Sequence, residues 1–374
     1  MERLIKMTLT IMAISFLFII VACSDDTSTT SEGEDTVEAV EGKEEVYKLK
    51  LNSINSPHAD LESPAAVATI GFAERVEERT DGRVEIEIFY NNQLAGQSEA
   101  LDALARGTID LQVFSHAAWA DKIPESDWGS LPYAFQGEES LSHLLNETEF
   151  GDLYAEALGE YGVKPLHIYY SSAAGYMSNT PIAKKDDFSG TVLSGPSPNI
   201  ADYYSSLGAG IASVSFVEYY ESLLRGTIDG ITFPYYTLDV HNLHEVVDYV
   251  TIPGEVDPAI SGIAVSQSTW DDLPSDIQEI ILEVSKEVEA ETLGISKQYT
   301  QSGIQFAEEN GVEVVEMNEE DYNELREISK ETYWKNFGKQ NDRTKQMVDI
   351  LLKTIEELDE SGEFSYEEYV DSYR

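Results

Sequence analysis

Arg106-Gly107-Thr108-Ile109-Asp110 and Arg225-Gly226-Thr227-Ile228-Asp229 spell the same five residues, RGTID, in the same setting. Glu99 and Glu218 stand seven positions upstream of the two arginines. Each copy closes a helix-like stretch, Glu99–Arg106 or Glu218–Arg225, and leads through glycine into an apolar strand-like one, Leu111–Phe114 or Ile231–Phe233. A residue that ends a helix often needs a left-handed backbone, which glycine adopts at almost no cost. The pattern predicts one helix–glycine–strand corner built twice, and so two similar α/β lobes facing each other across a cleft.

Working outward, strand and helix signals alternate from Val46 on. Tyr47–Leu51 and Val84–Phe89 alternate apolar and polar residues, as half-buried strands do. Ser63-Pro64 is a helix start, and the helix runs to about Thr80. A helix is expected over Asn146–Glu160, ended by Gly162, then a strand over Val163–Tyr170. Short strands at Thr191–Leu193 and Ile211–Val214 flank a helix near Asn199–Leu207. Ser215 with Glu218 reads as a capping box. Ile260–Val265 is a strand, and a long helix opens at Ser275 with apolar spacing through Ile277, Ile280, Ile281 and Val284. Val312–Val315 is a last short strand. This βα alternation predicts an α/β architecture with mostly parallel sheets.

The chain has 374 residues, enough for one large or two ordinary domains with real cores. Lys and Arg total 24 against 70 Asp and Glu, a formal net charge of -46. Such a surface repels phosphate backbones and anionic lipid, which excludes nucleic acid as a partner and a basic patch as a membrane attachment. The acids are spread along the whole sequence, as suits strong hydration in salty or alkaline surroundings. At the N-terminus Arg3 and Lys6 precede Thr8–Ala22, a mostly apolar, uncharged run of secretion-signal length. It ends Ile20-Val21-Ala22-Cys23, similar to the bacterial lipobox, and Cys23 is the only cysteine. The expectation is a signal peptide over 1–22, a lipidated Cys23, and a flexible acidic tether through residue 45. Ser24–Glu45 is too poor in large apolar residues to order itself. The protein is then held at the extracellular face of the cell membrane by its N-terminal lipid alone.

For chemistry the residues offer little. There is no nucleophile elbow, phosphate loop or dinucleotide glycine fingerprint. His241-x-x-His244-Glu245 has helical spacing for two metal ligands, but no cysteine or third histidine lies nearby, so it reads as a solvated or half-buried helix face. No enzyme, metal or cofactor is expected. Aromatics are more informative. Trp119 lies beyond the first corner, Phe233, Tyr235 and Tyr236 beyond the second, and Tyr169, Tyr170 and Tyr176 near the end of the first lobe. Ligands of open α/β sheets sit beyond the carboxyl ends of strands, in pockets lined by apolar groups and a few polar anchors.

Ile86–Asp110, reading IEIFYNNQLAGQSEALDALARGTID, resembles the DctP-type solute receptors of TRAP transporters. So do Leu131–Phe135, Ser178–Ile182, Val214–Tyr220 (VSFVEYY), and Gly226–Gly230 with Pro234. The resemblance covers Tyr47 to about Gly338. It implies a two-lobed, periplasmic-binding-protein-like α/β fold with hinge strands and a long helix backing both lobes. Residues 46–171 with 260–299 would form the first lobe, and 172–259 with 300–374 the second and the C-terminal helices. It further implies closure on a small organic solute, usually an organic acid such as a C4-dicarboxylate. Delivery would be to small and large TRAP membrane subunits driven by sodium. In Gram-positive bacteria such receptors are lipoproteins. An alternative is a receptor serving a sensor kinase or chemoreceptor. A cell-surface hydrolase is a third reading and lacks a visible nucleophile.

The chain departs from the resemblance where the ligand is held. The family's carboxylate-clamping arginine falls on Ser194, a second frequent arginine on Ala174, and the pocket asparagine on Phe233. Phe216 matches the family's pocket phenylalanine. Arginine suits a carboxylate because its fork donates two parallel bonds. Without it, a neutral, apolar-faced or cationic solute is expected, or an acid held by backbone N–H groups, hydroxyls or Lys122. The site expected on these grounds comprises Glu62, Ser115, Trp119, Tyr170, Ala174, Tyr176, Ser194, Ser197, Phe216, Phe233 and Tyr236.

Overall fold

Both RGTID segments fold into the same corner. The structure, a computed structural model, describes residues 45–58, 60–361 and 365–374. The leader, Cys23 and nearly all of the tether lie outside them. Helix α1 (Gln97–Ala105) buries Ala100, Leu101, Ala103 and Leu104, and helix α2 (Tyr219–Leu224) buries Tyr219 and Leu223. Gly107 and Gly226 follow at φ 64° and 65°. Thr108 N–H then donates to Ala103 O at 2.8 Å, and Thr227 N–H to Ser222 O at 2.9 Å. Ile109 and Ile228 are buried. The two aspartates do the same work. Asp110 exchanges backbone and side-chain bonds with Lys50 N and O, and Asp229 with Val192 N and O. Each carboxylate thereby ties its corner to the neighbouring strand.

The strands are β1 (Tyr47–Ser53), β2 (Val84–Phe89), β3 (Leu111–Phe114), β4 (Val163–Tyr170), β5 (Ala174–Ser178) and β6 (Val192–Ser194). They continue as β7 (Gly210–Ile211), β8 (Gly230–Pro234), β9 (Tyr249–Ile252), β10 (Ile260–Ser266) and β11 (Glu313–Glu316). One sheet has the order β2-β1-β3-β10-β4, the other β11-β9-β5-β8-β6-β7. Both are mixed rather than mostly parallel. The pairs β1/β2 and β1/β3 are parallel, whereas β10 runs antiparallel to both β3 and β4. β5 likewise opposes β8 and β9. The reversals belong to the strands next to the crossings, where the chain passes between sheets from β4 to β5 and back from β9 to β10.

The long helix α3 (Ser275–Glu309) backs both sheets. Its first turns bury Ile277, Ile281, Val284 and Val288 in the core of the first sheet. Its later turns replace these with small polar residues where the crossing lies on it. Thr292 Oγ1 accepts Tyr170 N–H at 3.4 Å and Thr300 Oγ1 accepts Ala173 N–H at 2.8 Å. These hydroxyls satisfy crossing backbone that no neighbouring strand can reach.

Several local expectations are corrected. The helix expected over Asn146–Glu160 begins at Phe150, and a separate helix, Glu138–Asn146, precedes it; Gly151 packs so closely on Leu145 O that a Cβ there would sit at 2.3 Å. Ser215 occupies the N-cap before α2 but forms no capping box. The first turn there, Phe216–Glu218, is 3-10, and Glu218 N–H donates to Ser215 O instead. The halves also do not keep separate cores. One buried cluster joins Phe114 and Trp128 to Met177, Ile231 and Tyr373, while a second lies against α3 and the first sheet.

Candidate ligand-binding cleft

A cleft of about 570 Å³ opens between segments that follow the two duplicated corners' strands, walled from both sheets. Asn55 and Ser56 reach it after β1, and Ser115, Ala117, Ala118 and Asp121 after β3. The opposite wall is Ser194–Asn199 after β6, Ile211–Phe216 leading into α2, and Phe233, Pro234, Tyr236, Thr237 and His241 after β8. The crossings supply Tyr169, Ser171 and Ala259–Ser261. The lining segments follow β1, β3, β6, β7 and β8, so the cleft lies beyond the carboxyl ends of these strands.

Six of the eleven expected site residues meet there: Ser115, Ser194, Ser197, Phe216, Phe233 and Tyr236. Phe233 is the centre of the aromatic wall. Phe216 stacks beside it at 6.5 Å and 22°, His241 at 6.0 Å and 30°, and Tyr219 meets it edge-on at 5.3 Å. The other five are not brought to the cleft. Trp119 is buried flat against Phe114 at 4.0 Å, its Nε1–H donating to Gln97 O at 3.0 Å. Tyr170 is fully buried, since neighbours on a strand face opposite ways and Tyr169 is the one turned to the cleft. Ala174 is buried in β5 opposite Pro234. Tyr176 points into the core, where its hydroxyl donates to Glu255 at 2.8 Å. Glu62 is exposed beside Asp60 and lines no part of the cleft.

Sequence reasoning missed Asn55, Asp121, Asn199 and His241, and singled out Tyr169 as an aromatic without placing it in the expected site. His241, read as a solvated or half-buried helix face, is exposed at the end of its helix and also stacks on Phe233 at the aromatic wall; desolvation lowers its pKa. Its place at the end of the short helix that follows Phe233's strand was the available signal. Among the lining residues there is no lysine or arginine, and Asp121 is the one carboxylate. The described arginines are engaged elsewhere or lie off the cleft. Arg75 pairs with Glu291 at 2.6 Å, Arg343 with Glu125 at 2.9 Å, and Arg225 with Glu221 at 2.9 Å. The cleft therefore offers hydroxyls, amides and ring faces. Among the described residues no group of three or more His, Cys, Asp or Glu could hold a metal ion, and no helix is long and apolar enough to cross a membrane.

Two sheets joined by chain crossings, backed by one long helix, with a cleft lined from both, define a two-lobed solute receptor. Residues 57–340 match the bacterial extracellular solute-binding protein family 7, DctP, and the chain belongs to that family. A C4-dicarboxylate-binding periplasmic protein of Rhodobacter capsulatus is 25% identical over 265 residues, 70% of this chain and 78% of that one. A solute-binding protein of Roseobacter denitrificans is 24% identical over 255 residues, 67% of this chain and 77% of the relative. The fold is similar to that of a TRAP periplasmic solute-binding protein from Rhodoferax ferrireducens with bound malonate. The TM-score is 0.77 at 20% identity, covering 85% of this chain and 100% of the other. It is also similar to one from Desulfovibrio salexigens with bound orotic acid, with TM-score 0.75 at 22% identity and coverage of 82% and 98%. The family consists of extracytoplasmic receptors that bind small organic solutes and work with TRAP membrane subunits.

Proposed function

We propose that this chain is a lipid-anchored receptor that captures a small organic solute by hinge closure and hands it to a sodium-coupled TRAP transporter, without a guanidinium clamp and without chemical turnover. One observation carries the reading: a cleft walled by both sheets in which no lysine or arginine lines the surface. Ser194 stands where the family resemblance expects the clamping arginine. A serine there donates one uncharged hydrogen bond, and the loss of a charge-assisted contact costs about 1.5–3 kcal/mol, or roughly ten- to a hundredfold in affinity. The ligand is then held by hydroxyls, amides and the Phe216–Phe233–His241 wall, which favours a neutral or cationic solute with an apolar face. Closure follows because such a ligand touches both walls only when they approach, and so stabilises the closed arrangement.

A thermal-shift screen across dicarboxylates, sugar acids, betaines and neutral solutes tests this. The largest shift is expected from a solute without net negative charge, and Phe216→Ala should lower its affinity about tenfold or more. A strong shift with a C4-dicarboxylate overturns the clampless reading. The anchor is tested separately: Cys23→Ser should release the protein from the membrane into the medium, and retention of the variant would refute lipidation at that residue.

A further inference from the structure

Asp127 sits in the turn Pro124–Ser130 that follows β3, on the first sheet's side of the molecule, and is only 3% exposed. Its carboxylate reaches across to the loop after β6. Ser197 Oγ donates to Oδ1 at 2.6 Å and Asn199 Nδ2 to Oδ2 at 2.7 Å. Ser197 Oγ in turn accepts the Asn199 N–H at 3.1 Å. Ser197 and Asn199 both line the cleft. Among the described residues no lysine, arginine or histidine forms a salt bridge with Asp127. Burial pushes its pKa up, while hydrogen bonds from Ser197, Asn199 and Tyr333 hold it down.

A buried carboxylate without a counter-cation is costly, and an asparagine or an apolar residue would be cheaper if only the core had to be filled. What a carboxylate alone supplies is two acceptor oxygens for two donors on one loop. That loop contains Pro196 and Pro198, so few backbone N–H groups remain to fix it. One of its faces borders the cleft, while Ile200 at its end is buried in the core. The same turn is fastened on its far side, where Glu125 accepts from Asn341 at 3.0 Å and Arg343 at 2.9 Å. Asp127 thus projects from a braced base towards an otherwise weakly held wall.

We propose that Asp127 is the positioning residue of the cleft: it holds the Ser197–Asn199 loop of the second sheet against the turn after β3 and so sets the spacing of the two walls. The role is independent of what the ligand is, and the test uses ligand-free protein, so its failure would leave the receptor reading intact. Spin labels at exposed Glu77 and Asp186 report the distance between the halves, and amide exchange at Ser197 and Asn199 reports the loop. Asp127→Asn faces one amide donor with another. It should broaden the distance distribution towards longer values and speed exchange at both amides about tenfold. Asp127→Asn combined with Asn199→Asp restores one donor and one acceptor in reversed order, and should return both readouts towards wild type. Ser197→Ala, a milder change, should accelerate loop exchange in a protein that still folds. Unchanged distances and exchange in Asp127→Asn, or no recovery in the reversed pair, would overturn the proposal.

Discussion

Raising the pH from about 5 to about 8 is expected to weaken the wild-type fold more than that of Glu255→Gln, by roughly 3 kcal/mol. Glu255 lies on the second crossing, between β9 and β10, and is completely buried. Its carboxyl accepts from Tyr176 and Tyr204, each at 2.8 Å, and from Thr232. Burial raises its pKa from 4.5 to about 7, against the opposing effect of those three hydrogen bonds. The raised value fixes the sign. In the unfolded chain the carboxyl ionises near 4.5, so its stabilising contribution is complete below that pH and is lost as pH rises through about 7. Asp257, two residues on, is pushed up by burial and by Glu138, so it adds to the same trend. Glutamine cannot ionise, and the difference between the two proteins isolates residue 255. Chemical denaturation at a series of pH values measures it; a difference that stays flat or grows with pH refutes the account. Glu255→Ala should be worse at every pH, since it removes the shared acceptor of three buried hydroxyls and leaves a cavity, with only the Tyr204–Thr232 and Tyr133–Tyr176 bonds remaining.

Gly303→Ala is expected to destabilise the protein by about 2–3 kcal/mol and to weaken ligand binding, although alanine is the better helix former. An ideal Cβ on Gly303 would lie 2.5 Å from Tyr235 C, 2.6 Å from Tyr236 N and 2.7 Å from Tyr235 O. These are backbone atoms and cannot swing aside. Helix α3 must lift from the turn after β8, and Tyr236 on that turn faces the cleft. Gly294 in the same helix is the control. Nothing lies within 4 Å of its Cβ position, so Gly294→Ala should stabilise by up to about 1 kcal/mol. Thermal unfolding of the two variants should therefore shift in opposite directions, and shifts of the same sign would show that close approach is not what keeps Gly303.

The legible part of the molecule was the part written locally. The twin corners follow from RGTID, because a helix end, a positive-φ glycine and a buried isoleucine are consecutive residues. Ser63 caps its helix as expected, accepting Ala66 N–H at 3.3 Å. The parallel-sheet expectation failed because strand direction at β5 and β10 depends on where the chain crosses, which no local pattern encodes. The cleft was half legible. Phe233, read as lying beyond the second corner, and Phe216, expected from the family resemblance, both line the cleft, whereas Tyr170 and Trp119, singled out on the same aromatic grounds, turn inward.

By itself the sequence determined the class of fold, many of its elements though not the strands Ala174–Ser178 and Tyr249–Ile252, and the scarcity of cations in the chain. Composition and short-range backbone preference suffice for those. Only the tertiary structure decided which rings meet solvent in the cleft, and which acids on the crossing have their pKa raised by burial. It also decided that Asp127 grips Ser197, 70 positions away. Those outcomes depend on burial and hydrogen bonding between distant segments, energies that exist only once the two sheets have been brought together.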